Sequence, residues 1–229
     1  MYISEKYLTG AKIVGITRKL INYGFDKLKF WKSKSERRLN KFGIHKFIID
    51  EYTGKYIKKT MTRNPIFISD TIKSISDIDS KKIVSIVSNS MVSCFNSYII
   101  KHLSSIKDMN NEDISDFFLM FVDSYIERLT TFIMKKMLSL PGLLAKLVSI
   151  VFINSLVYPS KKFISVRKKE DSFEIDFDFQ SYISSVQKGK EKDIMNSKLK
   201  QEVDVRSLWF VYNILVFSFS NFAKTLARR

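Results

Sequence analysis

The stretch Ile83–Ile100, IVSIVSNSMVSCFNSYII, has no charged residue over eighteen positions and is fenced by Lys81, Lys82 and Lys101. Val84, Val87, Met91, Cys94, Phe95 and Tyr98 recur at the spacing of one helix face, while Ser85, Asn89, Ser93 and Ser97 recur every fourth residue on the opposite one. An ordinary surface helix of a basic protein would carry Lys or Glu there. The stretch therefore predicts an unusual helix, apolar on one side and small, polar and uncharged on the other. Such a helix suits the centre of a soluble bundle, where Ser and Asn bond to neighbours, or a bilayer.

Outward from it, the pattern stays helical from Ser69 to about Tyr158. Asn111–Lys136 reads as a capped helix, with Asn111, Glu112 and Asp113 at its start and Lys135 and Lys136 near its end, as the macrodipole favours. Its apolar stripe is Phe117, Phe118, Phe121, Tyr125, Leu129, Phe132 and Ile133. Pro141-Gly142 punctuates the chain. Met137–Ser160 has a single charge, Lys146, and Ser207–Ala223 has none. A span needs about 20 mostly apolar residues, and a Lys near its centre costs about 2.5–3.5 kcal/mol on insertion scales, so Met137–Ser160 is marginal for crossing a bilayer.

Phe173, Ile175, Phe177 and Phe179 alternate with Glu174, Asp176 and Asp178, the period of a half-buried strand over Ser172–Phe179. Phe163–Arg167 is its antiparallel partner across Lys168–Asp171. Tyr2–Leu39 reads as basic helix, broken near Gly24. Ile44–Met61 reads as two short strands with Gly54 in the turn between them. Asn64-Pro65 opens a link to the rest of the chain. A charged stretch, Lys188–Arg206, reads as helix. The expected fold is mainly α, a helical bundle with a small antiparallel β-hairpin. It divides into a basic N-terminal region, 1–63, and a helical domain, 64–229, with the hairpin near 163–179.

Composition narrows the function. In 229 residues there are 39 Lys and Arg against 23 Asp and Glu, a net charge of +16, while 45% apolar residues, nineteen of them Phe, can fill a core of ordinary size. Seven Gly and three Pro are too few for a many-stranded sandwich or a phosphate-cradling enzyme fold. One cysteine, Cys94, excludes an internal disulfide framework and a CxxC zinc site. There is no GxSxG, HExxH, Walker or dinucleotide fingerprint. No catalytic residue, metal ligand or cofactor is expected, and an enzyme is the least favoured class.

Four groups of residues bear on chemistry. Glu174, Asp176 and Asp178 share one strand face and carry carboxylates of the kind that hold Mg or Mn, but pairing with Arg167, Lys168 and Lys169 is the favoured reading. Asp79-Ser80-Lys81, with Asp70 and Asp77 upstream, resembles in outline the acidic-x-Lys element of metal-dependent nucleases, yet it opens a helix rather than ending a strand. His45 and His102 have no carboxylate at a useful spacing, and Cys94 lies on the apolar face of its helix. Each is read as structural.

The charge is polarised: residues 1–63 hold sixteen basic and five acidic residues, a net of +11. Such a patch attracts polyanions, either nucleic acid or the anionic leaflet of a membrane. Lys27, Lys29, Lys32, Lys34, Arg37, Arg38 and Lys41 are interleaved with Phe25, Leu28, Phe30, Trp31, Leu39 and Phe42, an arrangement suited to stacking on bases or to a headgroup boundary. The bland alternative is a solvated helix face with core aromatics. Glu5 and Lys6 stand where a secretory signal would be apolar, so synthesis in the cytoplasm without a Sec-type signal is expected.

Taken together, the uncharged segments with basic ends and the cationic N-terminal region lead to an expected membrane-acting protein. It would insert amphipathic or apolar helices and make the bilayer permeable to small ions. Ser85, Asn89, Ser93 and Ser97 are the expected polar lining, Lys146 a charge on the watery side, and Trp31 and Trp209 interface anchors. The expected partners are an anionic membrane surface, further copies of the chain and a neutralising or assembly protein. This is the physical logic of soluble pore-forming toxins and secreted effectors, with no motif that assigns a family. The alternatives are a basic helical module for nucleic acid or a ribonucleoprotein, and a non-catalytic subunit of a membrane complex. A mean hydropathy of -0.08 fits helices that are buried first and inserted later.

Overall fold

A computed structural model describes residues 34–64, 79–137, 142, 145, 149, 162–168, 173–178, 180–182, 184, 185 and 205–227. After a helical segment at 34–40 come α1 (Lys46–Met61), α2 (Ser80–Lys101), α3 (Leu103–Lys107), α4 (Asn111–Met137), β1 (Ile164–Lys168), β2 (Phe173–Phe177) and α5 (Val205–Ala227). The protein is mainly α with one small antiparallel hairpin. Residues 1–33, including the expected break at Gly24, and the stretch 186–204 lie outside the described residues.

The expectation of two strands over Ile44–Met61 is overturned, because that stretch forms α1. Ile49, Thr53, Ile57 and Met61 are buried at fourfold spacing, which only a helix can place on one face. Lys46–Asp50 and Glu51–Lys55 form ion pairs one turn apart, at 2.8 and 2.5 Å. Gly54 is therefore mid-helix rather than in a turn. The turn lies earlier, at Gly43, whose φ of +72° is open to glycine at little cost. There the Gly43 N–H donates to Asn40 O (3.0 Å) and the Ile44 N–H to Leu39 O (3.2 Å), a Schellman ending for segment 34–40.

Asp79 caps α2, its carboxylate accepting from the Lys81 and Lys82 N–H groups at 3.0 and 3.2 Å. The cap of α4 is Asn110, whose side chain accepts from the Asp113 N–H at 2.9 Å. In the hairpin Val166 faces Ile175 and Arg167 faces Glu174. Ile164, Val166 and Ile175 are buried while Ser165, Arg167, Glu174 and Asp176 are exposed, the alternation read from the sequence.

The helices pack as two close pairs, α1 with α4 and α2 with α5, while β1 rests on α4 and β2 on α5. Large side chains fill the space between the pairs. Phe95 of α2 meets Phe121 of α4 at 5.0 Å, Phe118 at 5.5 Å and Phe222 of α5 at 5.8 Å. Tyr98 meets Phe117 at 5.8 Å, and the Tyr125 hydroxyl donates to Ser90 Oγ at 2.8 Å. Edge-to-face rings such as Phe95–Phe118 add about 0.5–1.5 kcal/mol beyond the area they bury.

Candidate functional site

Helix α2 is positioned by both pairs. Its Val87, Met91, Cys94, Phe95 and Tyr98 are buried against α4 and α5. Ser85, Asn89, Ser93 and Ser97, the expected polar lining, all lie exposed on the opposite face. That face is flanked by α1: the Ser97 and Ser93 hydroxyls hydrogen-bond to Tyr52 and Tyr56. Lys101 Nζ lies 5.7 Å from the centre of the Tyr52 ring. Among the described residues α2 alone is long and apolar enough to cross a membrane, with a mean hydropathy of 1.4 over eighteen residues, half of them buried. At the far end Ile100 is 75% exposed, next to the half-exposed Leu103.

The cationic sequence around residues 34–41 divides on folding. Lys34, Arg37 and Lys41 are exposed, whereas Arg38 turns inward to Glu112 and Asp116 and lies 3.7 Å from Asp113. Hydrogen bonds to Glu112 and Asp116, against a smaller burial cost, hold the guanidinium pKa further above its usual range. Lys46 makes the next contact along the same seam, 2.8 Å from Asp50 and 3.9 Å from Glu127. Burial opposes its charge, but Asp123, Asp50 and Glu127 together outweigh burial and raise its pKa. Ser124 donates to Asp50, and Arg128 lies 4.0 Å from it. Two of the chain's cations thus face an acidic stripe of α4, with Asp113, Asp116 and Asp123 buried.

That stripe escaped the sequence reading, although its signal was present. Glu112, Asp116, Asp123 and Glu127 follow fourfold and sevenfold steps, which align them along one helix face, with Asp113 three residues before Asp116 on the same side. Only Glu112 and Asp113 stand out in the sequence alone, because at the helix start they complement the dipole.

Other expected residues are placed as follows. Trp209 belongs to α5, but its side chain is outside the described residues, as are Lys27, Lys29, Trp31, Lys32 and Lys146. In the segment around Lys146, Gly142, Ala145 and Ser149 are helical, and the last two are buried. Asp178 leaves the strand face shared by Glu174 and Asp176: its carboxylate accepts from the Ser181 N–H at 3.0 Å and caps the turn at 180–182. Bonds from Ser181, and more weakly from Gln180, lower its pKa. Among the described residues no three His, Cys, Asp or Glu are grouped to hold a metal ion.

Chemically, the arrangement offers an uncharged helix that is half covered, cations at both its ends, and an acidic seam that fixes the N-terminal helices on α4. Comparison with protein-family models, curated proteins and solved structures finds no match.

Proposed function

We propose that the protein acts at an anionic membrane, where α2 leaves its packed position and enters the bilayer, and that several copies together make the bilayer permeable to small ions. The observation that carries this reading is α2: it is free of charge from Ile83 to Ile100, and its outward face holds Ser85, Asn89, Ser93 and Ser97 where a soluble helix would place Lys or Glu. Eighteen residues at 1.5 Å each span about 27 Å, close to the roughly 30 Å hydrocarbon core. Lys81 and Lys82 would then reach one headgroup layer and Lys101 the other. In the bilayer Ser85, Asn89, Ser93 and Ser97 turn toward other copies or water, because a polar group facing lipid without a partner is costly. Lys34, Arg37 and Lys41 add to the attraction for anionic lipid.

The test is leakage of dye and ions from anionic vesicles, followed by sedimentation after a high-salt wash. A fluorescent reporter on a cysteine placed at the exposed Asn89, with Cys94→Ala, follows α2 itself. Insertion moves the reporter into reach of lipid-borne quenchers, and association survives the wash. A reporter that stays in water while the protein binds removes α2 from the membrane-entering role.

A further inference from the structure

We propose that the end of the bundle formed by the start of α2 and the finish of α4 is the face that docks on an anionic lipid surface, through Lys81, Lys82, Lys135 and Lys136. The inference rests on the membrane reading above and specifies the surface by which contact begins. The pairing of helices brings these lysines together. Helix α2 runs antiparallel to α4, since Tyr98 packs on Phe117, Phe95 on Phe121, and Ser90 bonds to Tyr125. Measured from the Ser90–Tyr125 level, Lys81 and Lys82 lie about 12–14 Å along α2, and Lys135 and Lys136 about 15–17 Å along α4 toward the same end, at 1.5 Å per residue.

Helix α1 runs antiparallel to α2, and so in the same direction as α4, because Tyr52 lies on Tyr98 while Tyr56, one turn on, bonds to Ser93. Its closing cations, Lys58 and Lys59, therefore extend the face. All six lysines are exposed. Neither α1 beyond Glu51 nor α4 beyond Glu127 contains a carboxylate, and Asp79, at the start of α2, is engaged by two backbone N–H groups.

Helix electrostatics explains only part of this cluster. Lys58, Lys59, Lys135 and Lys136 sit at helix C-termini, where the macrodipole favours cations. Lys81 and Lys82 sit in the first turn of α2, where it disfavours them, and that turn holds no acidic residue. Two adjacent cations placed against the dipole are accounted for by an anion outside the helix. Continuity with the uncharged helix favours lipid over nucleic acid, because the face lies at the mouth of the one described helix of spanning length.

The experiment is flotation of the full-length protein with phosphatidylcholine vesicles that do or do not contain phosphatidylserine. In the Lys81→Glu, Lys82→Glu variant the helix dipole favours the new residues, so circular dichroism stays that of the wild type. Each cation near an anionic surface is worth about a fivefold change in partitioning, so binding to phosphatidylserine vesicles drops at least tenfold. The same charge change off α2 and outside this face, Lys55→Glu with Lys107→Glu, both exposed, leaves more than half of the binding. Wild-type binding that Lys81→Glu, Lys82→Glu does not weaken overturns this face and leaves the membrane reading standing, as do equal losses in the two variants. A wild type that floats with neither vesicle overturns both readings. If such a protein retards a DNA duplex through Lys81 and Lys82, the face belongs to nucleic acid.

Discussion

Arg38 reaches across 78 positions of sequence to ion-pair with Asp116, so a residue of the basic N-terminal region is held by the central helix of the bundle. The carboxylates it meets include Asp113 and Asp116, both buried, while the guanidinium stays 24% exposed. Arg38→Ala leaves buried acids without their cation. Breaking a buried pair on one side costs about 3–5 kcal/mol, and the partial exposure here lowers that to about 2–3 kcal/mol. Urea unfolding measures it, and Arg38→Lys is expected to recover part of the loss. A change under half a kcal/mol would show that the seam contributes no net stability.

Val87 is 1% exposed and lies in the core, so Val87→Asp disrupts the packed fold before any membrane step is reached. An ionised carboxylate there finds no partner, and a loss of cooperative thermal unfolding is expected. Phe95→Ala removes the ring shared by α2, α4 and α5 and costs about 3–5 kcal/mol. A loss below 1 kcal/mol on Phe95→Ala would contradict the aromatic layer between the helix pairs.

Gly54→Ala is expected to stabilise the protein by about 0.5–1 kcal/mol, since glycine inside a helix carries an entropic cost. A methyl group there meets only the Arg128 side chain, at an ordinary 3.7 Å. Gly43→Ala has the opposite sign, because the left-handed φ of +72° costs an L-residue about 1–2 kcal/mol. Chemical denaturation of both variants checks the assignment of one glycine to a helix and the other to a turn.

His102 stacks on Tyr98 at 4.4 Å, and burial together with Lys101 lowers its pKa. The folded chain prefers the neutral ring, so its contribution to stability is complete above the ordinary value of about 6.5 and fades as pH falls below it. An NMR titration of the imidazole should show a midpoint under about 6.5. A midpoint at or above that value would mean the ring is solvated and outside the Tyr98 stack.

Periodicity made much of the fold legible. The fourfold spacing of α2, the stripe of α4, the uncharged run of α5 and the alternation Phe173–Phe177 are local patterns, and local patterns are what helices and strands are made of. For α1 the local cues conflicted. Gly54 and the β-branched residues around it pointed to strands, whereas burial of Ile49, Thr53, Ile57 and Met61 against α4 selected a helix.

The candidate site divides in the same way. The sequence by itself determined that α2 carries no charge from Ile83 to Ile100 and that its small polar residues share one side, because both properties follow from residue type and the 3.6-residue turn. Only the tertiary structure decided which face of α2 stays exposed and that Arg38 and Lys46 turn toward an acidic stripe. It alone brought Lys81 and Lys82 to the same end of the bundle as Lys135 and Lys136. These relationships join residues from 35 to 81 positions apart, as in Ser90–Tyr125 and Lys46–Glu127. Contacts at that separation depend on how helix pairs pack, and no local period in the chain encodes them.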